Sequence, residues 1–450
     1  MHYELVEKYN VAVPRYTSYP PVPNWSGQQS KREWLDHIGL CLRNNEEGIS
    51  LYIHLPYCEQ LCTYCGCNKR ITKNHAVEEP YIQKLIEEWE NYVALSGKDF
   101  LTIKELHFGG GTPTFFSPQN LEFLLHSIFS KGKLTDDAAL SFEAHPNSTT
   151  KEHLLSLYAF GFRRISIGVQ DLSPVIMKAI NRFQTKAEIE QVTSWARSIG
   201  YTSVNYDLIY GLPFQTLDDI NITMDFVREM MPDRIAFYGY AHVPWKSAGQ
   251  RAFSDEDVPG GVEKYHLKQE GYERLAKMGY QLIGMDHFAL SSDSLFENFI
   301  SGKMHRNFMG YTDQKTDVLL GLGASSISET PQMYAQNEKS IETYFQLMEE
   351  SGSAANKFHR MTDAQVKTKN HILNLMCTYQ TSFENSEEEQ VHLSLKSDVL
   401  DELRSDGLIK WEGKRLMIKE KGKDFIRNVC AAIDPEFISS PSEKKYSTAT

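Results

Sequence analysis

No apolar run in this sequence approaches the roughly 20 residues that a membrane helix needs. Met1–Arg15 carries charges where a secretory leader would hold an apolar stretch. No membrane partner is expected, and the expected location is cytoplasmic. An excess of basic charge is also missing, though a local basic pocket stays open: 47 Lys and Arg stand against 59 Asp and Glu, a formal net charge of −12. Neutralising phosphates needs concentrated Lys and Arg, so nucleic acid is not expected as a partner. Cysteine is scarce and odd in number, seven in 450 residues, which argues against a disulfide framework. What is present is ordinary for a folded protein. Hydrophobic residues make up 41% and charged residues 24%, enough core for one large domain with additions and too much for wholesale disorder.

Residues 1–48 read as an N-terminal arm and helix. The arm holds Pro14-Arg15-Tyr16-Thr17-Ser18-Tyr19-Pro20-Pro21, a density of prolines and aromatics that suits an extended segment lying on something else. A short amphipathic helix is expected over Lys31–Arg43. From Ser50 to Tyr240 strands and helices alternate. Strands are expected at Leu51–Leu55, Ile103–Phe108, Ala139–Ala144, Arg164–Gly168, Ser203–Ile209 and Arg234–Gly239, with helices between them. Such alternation implies a parallel sheet built through right-handed crossovers. About six units fit, fewer than the eight of a closed barrel, so the fold class is α/β with a partial (β/α)6 barrel. That barrel domain, with an extension, is expected to run over residues 49–341. Within it Gly321–Ser328 reads as a tight strand-to-helix join. Residues 342–450 read as a mainly helical C-terminal domain in which two helices and a hairpin (Gly407–Trp411, Arg415–Ile418) make a winged-helix-like element. An acidic run, Glu387–Glu389, lies inside it, and the polar tail Ser439–Thr450 reads as disordered.

Four of the seven cysteines crowd into one loop: Cys58, Cys62, Cys65 and Cys67. Buried structural thiols do not gather beside Pro, Gly and polar neighbours. Structural zinc usually takes two separated CxxC pairs, and no second pair exists. A CxxxCxxC triplet of Cys58, Cys62 and Cys65 instead suits three corners of an iron–sulfur cube. The fourth iron is then open to a small ligand. Cys67 could supply that corner, but its spacing matches no part of the triplet. One strand later comes Gly109-Gly110-Gly111-Thr112-Pro113, a loop whose glycines let backbone approach a ligand closely.

On these residues the chain resembles the radical S-adenosylmethionine superfamily. The resemblance narrows to its oxygen-independent coproporphyrinogen III oxidase family through further stretches. They include the PRYTSYP arm, Cys65–Lys69, Gly168-Val169-Gln170-Asp171, Asp207–Pro213, Tyr240–Pro244, Gly284–Ala289, His305–Phe308 and Tyr334–Asn337. It implies a 4Fe-4S cluster held by Cys58, Cys62 and Cys65, and two S-adenosylmethionine molecules per chain. The first would touch Tyr52, Tyr64, Gly110, Glu143 and Ile327. The second would touch Gly111, Thr112, Gln170, Arg182, Asp207 and Ala241. The implied activity is oxidative decarboxylation of two propionates of coproporphyrinogen III to vinyls through a 5′-deoxyadenosyl radical, giving protoporphyrinogen IX in porphyrin biosynthesis. No protein group beyond the cofactors is assigned a catalytic role.

Four substrate carboxylates need cations, and Arg15, Lys69, Arg182, His305 and Arg306 are the candidates, with Cys67 a further candidate for the substrate cavity. An electron donor for the cluster and an electron acceptor are implied partners, and a monomer is expected. Within the same superfamily a haem chaperone and a radical methyltransferase are the alternatives, with a non-catalytic electron-transfer protein a third. The chaperones generally carry Phe where this chain has Cys67 and lack the PRYTSYP arm.

Overall fold

In the computed structural model, residues 3–245, 247–383, 396–437, 446 and 448 are described. Twelve strands form one sheet: β1 (Ile49–Leu55), β2 (Leu101–Gly110), β3 (Gly132–Ala144), β4 (Arg164–Gln170), β5 (Ser203–Tyr210), β6 (Arg234–Gly239), β7 (Gln281–Gly284), β8 (His287–Ala289), β9 (Leu319–Leu322), β10 (Ile327–Glu329), β11 (Met333–Asn337) and β12 (Ala355–Arg360). Their order is β12-β11-β10-β9-β1-β2-β3-β4-β5-β6-β8-β7. Strands β1 to β6 pair in parallel in sequence order, the six-unit arrangement that the alternation predicts. The sheet does not close on itself. Beside β1 lies β9, also parallel, and antiparallel strands extend both flanks.

The crossovers between β1 and β6 are helices whose ends are marked in the sequence. Thr150, Thr185 and Thr216 each accept from the backbone N–H three residues on and open Lys151–Ala159, Lys186–Ile199 and Leu217–Met230. Gly97 and Gly200, both left-handed, close Glu78–Ser96 and Lys186–Ile199. Strand β1 is buried at six of seven positions (only Tyr52 is half-buried) and reads as the continuous apolar run expected of a parallel strand covered on both faces.

Two expectations change. Gly321–Ser328 joins strand to strand: β9 turns through Ser325, at φ +66°, into β10. A Cβ at Gly321 would stand 2.5 Å from the Ile327 carbonyl oxygen, so the glycine is needed for the close return of the chain rather than for a helix start. The segment beyond residue 342 also contains β12, hydrogen-bonded to β11 within the main sheet; the large sheet thus continues past the boundary expected at 341/342. Farther on, helices Asp363–Thr378 and Ser397–Ser405 and the antiparallel pair Ile409–Glu412/Arg415–Ile418 match the helix–helix–hairpin reading. The acidic run Glu387–Glu389 and most of the tail Ser439–Thr450 lie outside the described residues.

The N-terminal arm lies on this C-terminal element. Val6, Tyr9, Val13, Tyr16 and Tyr19 share one buried cluster with Leu375, Leu403, Leu416 and Val429. Asp434 accepts from the Tyr16 and Tyr19 hydroxyls at 3.0 and 2.8 Å, and Arg427 donates to the Val13 and Pro14 carbonyls. The chain's two ends are thereby clamped together at the C-terminal rim of the parallel strands, where barrel sites form.

Candidate active site

Strand β1 ends at Leu55 and delivers the chain into the cysteine loop; β2 ends at Gly110 and delivers it into the glycine loop. The two loops are stitched by backbone hydrogen bonds, Gly111 N–H to the Leu55 carbonyl at 2.9 Å and Thr112 N–H to the Tyr57 carbonyl at 3.0 Å. A Cβ at Gly111 would sit 2.6 Å from Pro56 backbone atoms, so this approach requires glycine. Gly110, at φ +117°, donates from its N–H to Glu143 Oε2 at 3.2 Å.

A cavity of ≈390 Å³ opens above these ends, within the size range of sites for small molecules and cofactors. Cys58, Cys62, Cys65 and Cys67 line it together with Tyr64, Lys69, Gly110, Gly111, Thr112, Glu143, Gln170, Arg182 and Asp207. Thirteen of the residues singled out in the sequence thus converge on one space. All the cysteines are free thiols. Among the described residues no three His, Cys, Asp or Glu side chains gather tightly enough to hold a single metal ion. Mononuclear zinc needs its donors within about 2.3 Å of one point. A cubane instead spreads its thiolates over separate corners, which suits three cysteines around one cavity.

Arg182, Asp207 and Glu143 are among the ionisable groups that line that cavity. Arg182, at the end of the helical segment after β4, donates to the Gly168 carbonyl at 2.6 Å, to Gln184 at 2.9 Å and to Cys62 Sγ at 3.5 Å. It is held against the bulge at Gln170, whose φ is +69°. Asp207 accepts from Ser166 at 2.9 Å and from Asn205 at 2.8 Å. Burial, reinforced by the charge of Glu143, pushes the Asp207 carboxyl up to about 7. Burial acts on Glu143 in the same direction, but His107, at 3.7 Å, and the Gly110 N–H outweigh it and hold this carboxyl below its ordinary value. Two neighbouring carboxyls are thus separated, one ionised near neutrality and the other able to carry a proton.

Other expected residues lie elsewhere. Tyr52 is next to the site, stacked on His107 and 3.0 Å from His54 Nδ1. Ile327 packs with Trp25, Tyr334 and Met361 away from the cavity. Ala241 and Arg15 line a second, smaller cavity at the ends of β5 and β6. Arg306 donates from its guanidinium to the Tyr16 carbonyl and lies over the Tyr311 ring. It anchors the arm, and with His305 it sits on the pair His305–Asn307/Gly310–Thr312, outside the cavity's lining. The sequence reading missed His145, Ser166 and Tyr238, which do line the cavity. Burial, then the charge of Arg182, pushes the His145 imidazole down to about 3, so it is neutral. Its position directly after β3, two residues beyond Glu143, was the available signal.

Residues 52–227 match the radical SAM superfamily. The oxygen-independent coproporphyrinogen III oxidase of Escherichia coli (strain K12) is 36% identical over 96% of this chain and 94% of that protein. The proteins of the same name from Pseudomonas aeruginosa and Synechocystis are 35% and 33% identical, each over 99% of this chain and 97% of the relative. Among solved structures, the coproporphyrinogen III oxidase HemN from Escherichia coli, described as a radical SAM enzyme, superposes with a TM-score of 0.87 at 35% identity, covering 93% of this chain and 97% of that one. With matches of this identity over essentially the whole length, the chain belongs to the oxygen-independent coproporphyrinogen III oxidase family of the radical S-adenosylmethionine superfamily.

Proposed function

We propose that this protein decarboxylates two propionates of coproporphyrinogen III to vinyls, forming protoporphyrinogen IX without oxygen. The observation that carries this reading is the convergence of the cysteine triplet, the glycine loop, Glu143, Arg182 and Asp207 on one cavity, in a chain matched end to end by oxidases of that name. Membership of the superfamily implies a 4Fe-4S cluster and S-adenosylmethionine. Cys58, Cys62 and Cys65 would hold the cluster. Bound together, cluster and S-adenosylmethionine supply a primary alkyl radical, strong enough to take hydrogen from an unactivated propionate β-carbon, which no resting side chain can do.

The chain's own residues bind, orient and shield. Backbone groups of Gly110–Thr112 and the Glu143 carboxylate offer partners to an amino group and to ribose hydroxyls. Asp207, able to accept or donate near neutral pH, can do the same. Arg182, buried and already oriented by Gly168 and Gln184, is placed to pair with a carboxylate. Gly111, Thr112, Gln170, Arg182 and Asp207 line the same cavity as Gly110 and Tyr64 and are proposed to contact a second S-adenosylmethionine. Ala241 would then take part only from the neighbouring cavity. His145, neutral, and Tyr238 form part of the cavity wall.

The reaction further requires an electron donor for the cluster and an electron acceptor for the substrate-derived radical. The reading takes the chain as a cytoplasmic monomer. Among the described residues no helix is long and apolar enough to cross a membrane. The three parts expected from the sequence, arm, barrel and C-terminal element, are proposed to act together, the clamped ends covering the rim. The test is anaerobic incubation of the iron- and sulfide-reconstituted protein with coproporphyrinogen III, S-adenosylmethionine and a reductant. Vinyl-bearing product is expected; haem binding without turnover would favour the chaperone reading, and a methylated product the methyltransferase one.

A further inference from the structure

The second cavity at the rim was not anticipated as a site. It is small, ≈30 Å³, and lies at the C-terminal ends of β5 and β6 between the barrel, the arm and the C-terminal element. Its charge is opposite to that of the whole chain. Among the described residues five cationic side chains line it, Arg15, Lys264, Lys268, Lys423 and Arg427, against two carboxylates, Asp286 and Asp424, in a protein of formal net charge −12. Three separate segments contribute these cations: the arm, the helix Gly261–Lys277 and the C-terminal region. Arg15 pairs with Asp286 at 3.0 Å and Lys268 with Asp424 at 2.8 Å; Lys423 reaches out to Glu420 at 2.7 Å.

We propose that this cavity receives one propionate carboxylate of the tetrapyrrole, holding the substrate by a group that is not reacting while another propionate lies in the cysteine-lined cavity. The inference rests on the functional reading above for the identity of the anion. Concentrating positive charge in a partly buried space is costly unless an anion shares it. The cavity has space for about two water molecules, room for a carboxylate and not for a ring. It also adjoins the cysteine cavity. Ile209 lines one and Tyr210 the other, while the Arg15 guanidinium stands 5.9 Å over the ring of Tyr238, a wall of the cysteine cavity. A substrate with carboxylates around its edge can therefore span the two. Burial, followed by the charges of Arg15 and Arg427, pushes the Lys264 ammonium down to about 8, and an incoming carboxylate would favour its charged form.

The test separates binding from turnover. The reconstituted full-length protein is titrated with coproporphyrin III, a fluorescent tetracarboxylate, and with its tetramethyl ester. Wild type should bind the acid at least tenfold more tightly than the ester. Lys264→Gln should weaken acid binding at least tenfold and leave ester binding within about twofold, while Lys264→Arg keeps acid binding within about threefold. Arg15→Gln, altering a side chain 35% exposed, gives a second reading should Lys264→Gln not fold, with a loss of at least threefold expected. Equal binding of acid and ester by wild type, or unchanged acid binding in both Gln variants, would overturn the site. Should wild type bind as expected yet form no vinyl product, the anion site stands and the proposed reaction falls.

Discussion

Replacing Gly111 with Ala tests whether the two loops must touch. An added Cβ would lie 2.6 Å from the Pro56 carbonyl carbon and oxygen and 2.9 Å from the Tyr57 carbonyl oxygen. Ordinary contact begins near 3.4 Å, so the loops must part by up to about 0.8 Å, and all three obstructing atoms are backbone. The hydrogen bonds Gly111–Leu55 and Thr112–Tyr57, at 2.9 and 3.0 Å, would then stretch beyond useful length. Overpacking costs about 1–3 kcal/mol and each of the two lost hydrogen bonds about 1 kcal/mol, so about 3–5 kcal/mol is expected in total. The strain falls beside Cys58, the first cysteine of the triplet, whose sulfur lies 3.3 Å from Thr112 Oγ1. Gly111→Ala should therefore lower the thermal midpoint, reduce iron per chain after reconstitution and cut turnover at least tenfold. Gly66→Ala is the matched control. It lies in the same cysteine loop, yet its added Cβ would meet nothing within 4 Å, and stability should stay within about 0.5 kcal/mol of wild type. Full iron and wild-type turnover in Gly111→Ala would refute the reasoning that close loop contact builds the site.

Three other outcomes follow from the same geometry. Arg182→Ala should keep a full cluster and lose turnover at least tenfold, because a charge-assisted contact contributes about 1.5–3 kcal/mol; iron analysis and a turnover assay check this. Cys67→Ser should assemble a full complement of iron but convert substrate poorly, and an iron content as low as that of Cys58→Ala would mark Cys67 as a ligand. Burial raises Glu88 from its ordinary 4.5 to about 7, despite bonds from Gly323 N–H, Tyr344 and Asn337. A folded-state value above the unfolded one means that stability is fully present below about 4.5 and is lost as pH rises through about 7, at up to about 1.4 kcal/mol per pH unit. Glu88→Gln should flatten the fall in thermal midpoint between pH 5 and 8.

How much was legible in the sequence depended on whether the signal was local. The six strand–helix units were legible through the alternation of short apolar strand-like runs with stretches of helical apolar spacing. The triplet was legible because thiolates with that spacing on one loop have few other uses. Strand β9 was not, since Leu319-Leu320-Gly321-Leu322 is short, wholly buried and shows no alternation. Strand β12 was hidden for a different reason. Ala355–Arg360 is ordinary in composition and becomes a sheet strand only because β11 offers an edge. Among site residues, the surroundings of Arg306 were not legible, because a cation's partner is a matter of tertiary position: its neighbour is the Tyr16 carbonyl, 290 residues away. The rim cavity was illegible for the same reason, since Arg15, Lys264 and Arg427 meet only after the chain's two ends are brought together.

The most direct measurement of the central claim is the mass and CO2 balance of one anaerobic reaction with coproporphyrinogen III, S-adenosylmethionine and a reductant. The account predicts two CO2 released per substrate and a product with two vinyls and two remaining propionates, absent when Cys58, Cys62 or Cys65 is Ala. S-adenosylmethionine cleaved while the tetracarboxylate is recovered intact, or a product heavier by a methyl group, would contradict it.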